Sequence, residues 1–234
     1  MPKHGKQYEQ AAKLIESRLY PPDEALALLK QASFAKFDPT VEIHINLGVD
    51  PRHADQLVRG AASLPAGTGK VQRILVFAQG DKAREAEQAG ADLVGADDIV
   101  KRIEEGWLEF DVAIATPDQM GKVGRLGRIL GPRGLMPNPR TGTVSNDLTR
   151  VIGEIRAGRV DFRVDRTGVV HGPIGKLSFD DARLRQNLGA FIDAILKAKP
   201  TGAKGQYVKG IHLSSTMGPG IGLELQPALA LAAA

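Results

Sequence analysis

The chain contains no cysteine, which excludes disulfide frameworks, cysteine-held zinc and cysteine nucleophiles. Long hydrophobic runs are missing too. No apolar stretch reaches the ~20 residues that a membrane-spanning helix needs. The opening segment, MPKHGKQYEQ, is polar and has no apolar core of the kind a secretory signal carries. Nor is there a large charge imbalance. The chain has 31 Lys and Arg against 27 Asp and Glu, a net charge of +4 with a pI near 9.3. Such mild basicity permits a nucleic-acid partner without requiring one.

Catalytic signatures are absent in the same way. No G-x-x-x-x-G-K-[ST] loop occurs; His171-Gly-Pro-Ile-Gly-Lys-Leu-Ser178 lacks the first glycine. No G-x-G-x-x-G links the first strand of the middle block to its helix, where only Gln79-Gly-Asp81 stands. The histidines, at 4, 44, 53, 171 and 212, are scattered without HExxH spacing, and there is no G-x-S-x-G elbow. A nucleotide-dependent enzyme is therefore the weaker reading, because fold alone does not carry function.

What is present is concentrated in Gly121 to Gly142, GKVGRLGRILGPRGLMPNPRTG. Six glycines, three prolines and five basic residues stand there without one acidic residue. Glycine allows close backbone approach, proline holds a segment extended, and arginine offers planar forks for phosphate. The composition predicts an irregular, packed loop, with Lys122, Arg125, Arg128 and Arg133 free to face a polyanion. Gly131-Pro-Arg-Gly134 also has the G-x-x-G form of single-strand-binding loops, a short and unspecific match.

Periodicity divides the chain. Residues 8–18 and 22–32 read as helices, the second opened by Pro22. Thr40 to Leu47 alternates, with Val41, Ile43, Ile45 and Leu47 on one face and Glu42, His44 and Asn46 on the other, as in a strand with one wet face. Residues 51–62 read as helical. Strand 72–78, helix 81–89, strand 92–94, helix 97–105 and strand 111–115 then follow the rhythm of a parallel sheet with crossover helices. Helix 147–157 closes that block.

From Val160 the pattern reverts to a hairpin around Asp165-Arg-Thr-Gly168, then a helix over 180–198 and a strand over 207–215. Ser178-Phe-Asp-Asp181 resembles a capping box for that helix. The tail PALALAAA reads as a frayed end. The fold class is thus α/β and α+β. A Rossmann-like three-layer α/β domain, residues 67–159, is inserted into a discontinuous α+β outer domain, residues 1–66 plus 160–234. Glycines near 64–70 and 156–160 would let the connectors hinge. Residues 1–66 carry eight cations and eight anions, and 67–157 carry thirteen of each; the whole surplus falls in 158–234.

GKVGRLGRILGPRGLMPNPRTGTV resembles the signature segment of the L-one family of bacterial large-subunit ribosomal proteins, which form a mobile stalk at the tRNA exit site. So do Lys36-Phe37-Asp38 with Thr40-Val41-Glu42, Val164 to Gly168 with His171, and Ser215 to Gly220. The resemblance implies a ribosome-bound, cytoplasmic protein that is not an enzyme, uses no cofactor, has no membrane partner and is monomeric off the ribosome. It implies that the outer domain grips large-subunit ribosomal RNA through Lys36, Phe37, Thr40, Glu42, Asp165, Thr167, His171, Thr216, Met217 and Gly218. It further implies contact with exit-site tRNA, assistance to its release, and repression of the chain's own messenger RNA. Arg52, Lys122, Arg125, Arg128 and Arg133 are the candidates for tRNA or other RNA contact. RNA helices are recognised by shape and 2′-hydroxyls. Glu42 and Asp165 would be costly beside phosphate and suit such hydroxyls or base amino groups instead.

Overall fold

The structure, a computed structural model, describes residues 5–203 and 205–233. In chain order it contains α1 (Lys6–Lys13), α2 (Pro22–Gln31), β1 (Thr40–Leu47), β2 (Arg59–Ser63), β3 (Ile74–Phe77), α3 (Asp81–Gln88), β4 (Leu93–Gly95), α4 (Asp97–Glu104) and β5 (Val112–Ala115). Then come α5 (Met120–Val123), α6 (Gly127–Leu130), α7 (Leu148–Ala157), β6 (Arg159–Arg163), β7 (Val169–Lys176), α8 (Asp181–Lys197), β8 (Val208–Ser215), β9 (Ile221–Leu223) and α9 (Leu225–Ala230). Mixed α and β content follows, as the periodicities require. The chain forms two compact units, Met1–Gly69 with Gly158–Ala234, and Lys70–Ala157.

The first unit is built on an antiparallel sheet in the order β7-β1-β8-β9. The alternation in β1 decides which face is dry. Val41, Ile43, Ile45 and Leu47 are buried among Leu26 and Leu29 of α2 and Leu188, Phe191, Ile192 and Ile195 of α8. Burying each such side chain contributes about 1.5–3 kcal/mol. The opposite face has no such cover, and β1 places Thr40, Glu42, His44 and Asn46 there.

A fully buried amide, Asn187 of α8, ties down the chain where β2 ends. Its Nδ2 donates to Gly67 O at 2.9 Å and Ile174 O at 2.7 Å, and its Oδ1 accepts from Ala66 N at 3.0 Å. Gly158, at φ 110°, lies so close that a Cβ there would come within 2.6 Å of Gly67 Cα. Only glycine fits that approach.

The second unit has a parallel sheet in the order β4-β3-β5. β3 is buried on both faces, and so is most of β5. Leu75, Phe77, Ala113 and Ala115 pack with Ile99 and Ile103 of α4 and with Val123, Leu126 and Leu130. Ile74, Val76 and Ile114 pack with Ala86 of α3 and with Leu148, Val151, Ile152 and Ile155 of α7. Helices on both faces of a parallel sheet are what βαβ crossovers produce.

Five local expectations are corrected. The first helix is shorter than 8–18, spanning Lys6–Lys13. Residues 51–62 are not helical; a 3₁₀ turn at Ala54–Gln56 leads into β2, which pairs with β6. Alanines favour helix weakly, and pairing overrides them. The Gly/Arg run begins as short helical turns, because Val123, Leu126 and Leu130 recur at helical spacing and are buried. The described part of the tail is not frayed. Ala228 of α9 is buried, and Leu231 and Ala232 pack on the first unit's core. The capping box does not form. Asp180 makes no side-chain cap to α8, and Ser178 Oγ instead donates to Asp38 at 2.7 Å.

Candidate nucleic-acid interface

Two loop clusters flank the polar face of the first unit's sheet. At the start of β1, Lys36 and Phe37 are exposed, Phe37 by 54%. Their segment is anchored behind them. Asp38 accepts from Ser178 N and Ser178 Oγ, and Leu177 N donates to Pro39 O at 3.0 Å. The cation and the ring therefore project from a fixed base.

The loop after β8 joins the same cluster. Thr216 N donates to Thr40 O at 2.9 Å, while Thr216 Oγ1 accepts from Thr40 N at 3.1 Å. Thr40 Oγ1 in turn accepts from Lys176 Nζ at 3.0 Å. Met217 follows at φ 69°, 66% exposed. Left-handed backbone is uncommon for a non-glycine residue and costs of order 1–3 kcal/mol. Gly218 N donates to Ser215 O at 2.8 Å, and a Cβ on Gly218 would collide with Ser215 Oγ. A tight turn thus presents Met217 outward. An open cleft lies between it and the start of α1, lined by Lys6, Tyr8, Phe34 and Gly218 as well.

The second cluster is the turn between β6 and β7. Asp165 Oδ1 accepts from Thr167 N at 2.8 Å and Val169 N at 2.9 Å, and Thr167 Oγ1 donates to the carboxylate at 2.7 Å. His171 Nε2 lies 3.4 Å from Asp165 Oδ2. Desolvation pushes this carboxyl up, but the bonds from Val169, Thr167 and His171 prevail and hold it at about 2. The Asp165 carboxylate therefore stays ionised and shapes the turn, its acceptor positions largely occupied within the protein.

Glu42 stands between the clusters, opposite Ser214 of β8 and Pro173 of β7. Lys36, Phe37, Thr40, Glu42, Thr216, Met217 and Gly218 thus share one end of the sheet, and Asp165, Thr167 and His171 are strung along the same unit toward the other. Sequence reasoning left out His44, His212 and Ser214. The alternation of β1 already put His44 on the wet face with Glu42. The register that brings His171, His212 and Ser214 beside it comes from segments more than 120 residues away.

The remaining basic candidates stand on other elements. Arg52 is exposed before the 3₁₀ turn of the first unit. In the second unit Lys122, Arg125 and Arg128 recur every three residues along the α5–α6 turns, outside the buried Val123, Leu126 and Leu130. Lys122 Nζ bonds Asp97 Oδ2 at 2.7 Å, a contact that pulls the Asp97 carboxyl below its ordinary value. Arg125, Arg128 and Arg133 are exposed and form no ion pair among the described residues.

A polar sheet face framed by a strained, exposed methionine and an exposed phenylalanine suits a ligand that offers hydroxyls and flat rings. Comparison with known families agrees: the family described as ribosomal protein L1p/L10e matches residues 29–219. The chain belongs to that family. As a member of the L1p/L10e family it is a structural constituent of the ribosome that binds large-subunit ribosomal RNA, and the family is not one of enzymes. The matched stretch contains every residue of both clusters and all the arginines of the α5–α6 surface. The C-terminal β9 and α9, which pack on the core, lie outside it. No helix of the described residues is long and apolar enough to cross a membrane.

Proposed function

We propose that residues 36–42, 165–171 and 216–218 are the grip on large-subunit ribosomal RNA. The arginine surface of the second unit, Arg125, Arg128 and Arg133, meets deacylated tRNA at the exit site and assists its release. The same grip binds the chain's own messenger RNA and represses its translation. On this reading the protein works in the cytoplasm, bound to the ribosome and monomeric when free, with residues 1–66 plus 160–234 as the RNA-holding domain and 67–159 as the inserted one.

The observation that supports the grip most strongly is the pair of backbone and side-chain bonds between Thr40 and Thr216. They hold Phe37 and Met217 on one polar face at the cost of a strained backbone. An aromatic ring, a thioether and accessible hydroxyls recognise unstacked bases and 2′-hydroxyls better than they recognise phosphate alone. The arginines of the second unit offer the opposite chemistry, unpaired forks for a backbone.

Separating the two surfaces by mutation tests this assignment. Thr216→Ala is expected to weaken ribosomal RNA binding by about 1–3 kcal/mol. Arg125→Ala combined with Arg128→Ala is expected to leave that affinity nearly intact and to slow exit-site tRNA release from reconstituted ribosomes. A large affinity loss in the arginine variant, or unaltered affinity in Thr216→Ala, would overturn it.

A further inference from the structure

Three histidines stand at one level across the polar face of the sheet. His171 of β7 and His212 of β8 both lie opposite His44 of β1. His44 Nδ1 is 2.7 Å from His171 Nδ1, the ring centroids 5.0 Å apart. His44 Nε2 is 2.8 Å from Ser214 Oγ, and Asp165 closes the other end of the row through His171 Nε2. His171 and His212 are exposed, and His44 is half-buried.

We propose that this row, His44, His212 and Ser214 included, is a further part of the RNA-binding surface and takes up one proton when RNA binds. The proposal rests on the grip assigned above.

A nitrogen–nitrogen distance of 2.7 Å requires one proton in the gap and admits no second. The Asp165 carboxylate can only accept, so His171 Nε2 keeps its hydrogen. In the neutral row His44 Nδ1–H then donates to His171 Nδ1, and His44 Nε2 accepts from the Ser214 hydroxyl. One added proton, on His44 Nε2, reverses that last bond. His44 now donates to Ser214 Oγ, and the Ser214 O–H is released to donate outward. The proton in the gap can sit on either Nδ1, so the charge is shared between the two rings. A second proton added to the His44–His171 pair would set two N–H groups against each other, and uptake by the pair stops at one.

In the free protein the surroundings of His44 disfavour its charged form. Partial burial pushes its imidazole below the ordinary value of 6.5; His171 from β7 and His212 from β8 act the same way, and Glu42 on β1 opposes them. Asp165 faces the row from its turn, and Lys176 stands at the far end of β7 beside Thr40. A polyanion laid on this face tips the balance toward the charged row. The sign follows by linkage: the row's proton affinity is higher in the complex than in the free protein. Binding is tightest below the free-state value and weakens as pH rises through the bound-state value.

The test measures affinity of the full chain for a large-subunit ribosomal RNA fragment from pH 5.5 to 8.0 at fixed salt. Calorimetry at pH 6.5 in two buffers of different ionisation enthalpy counts the protons taken up. The expected result is about a thirty- to hundredfold loss of affinity across this range, with an uptake approaching one proton. His44→Gln is expected to flatten the profile, and His212→Asn to weaken binding while preserving the slope. Affinity independent of pH, with no proton uptake, overturns the proposal and leaves the grip standing. A slope that survives His44→Gln overturns it as well, because the proton then sits elsewhere. Absence of RNA binding at every pH overturns both readings. Should His44→Gln fail to fold, the imidazole nitrogen shifts of the wild-type protein, free and RNA-bound, decide: unchanged tautomers and charge overturn the proposal.

Discussion

Met217 is the sole non-glycine residue with positive φ among the described residues, and it is also among the most exposed large hydrophobic side chains. Neither property helps the fold. A glycine would relieve the strain, although it would lose more entropy on folding. Met217→Gly is therefore expected to leave stability within about 1 kcal/mol of the wild type. Affinity for ribosomal RNA is expected to drop about tenfold, a loss of roughly 1.4 kcal/mol. Thermal unfolding and RNA titration on the same preparation check this, and retained affinity would assign the strained turn no role in binding. At this scale the motif residues were visible in the primary structure: Lys36, Phe37, Thr216 and Met217 sit in short, unusual strings. Their partners were not. The contacts of Thr40 with Thr216, of Asp38 with Ser178 and of His44 with His171 and Ser214 depend on register between distant strands, which no local pattern encodes.

Elements with strong periodicity are where sequence and structure agree best. β1, α8 and the three parallel strands each carry an apolar face that only one secondary structure can bury. The disagreements share one cause, tertiary packing acting on weak local preference. β2 is rich in alanine and glycine and becomes a strand because β6 is available to pair with it. The glycines at 121, 124 and 127 suggested a loop, yet the buried residues between them enforce helical turns. The tail is short and low in complexity, but its Leu231 backbone lies against Gly189 of α8. Asn187 was hidden among the apolar residues of the same helix. Its three hydrogen bonds join α8 to β7 and to residues 66 and 67. Removing a buried partner leaves donors and acceptors unmatched at a cost of about 1–3 kcal/mol each. Asn187→Ala is thus expected to destabilise the first unit by at least about 2 kcal/mol, measured by denaturant unfolding. A change below a few tenths would show that water replaces the amide.

Across the whole chain, charge separates what each unit can do. Cations and anions balance in residues 1–66 and 67–157, and the surplus of four lies in 158–234. A surplus this small cannot hold a polyanion by charge alone, since non-specific binding depends on many phosphate contacts. Discrimination has to come from groups that read something other than phosphate. The polar face supplies them: the Glu42 carboxylate, the hydroxyls of Thr167, Thr216 and Ser214, the flat ring of Phe37 and the thioether of Met217. Acceptors of this kind are matched by 2′-hydroxyls, which DNA lacks. The most direct measurement is a competition, at moderate salt, between a large-subunit ribosomal RNA fragment and a DNA of the same sequence and secondary structure. The RNA is expected to bind at least about a hundredfold more tightly, with the ratio preserved as salt rises. Equal affinity for the two, or a preference that vanishes as salt rises, would contradict recognition through this face.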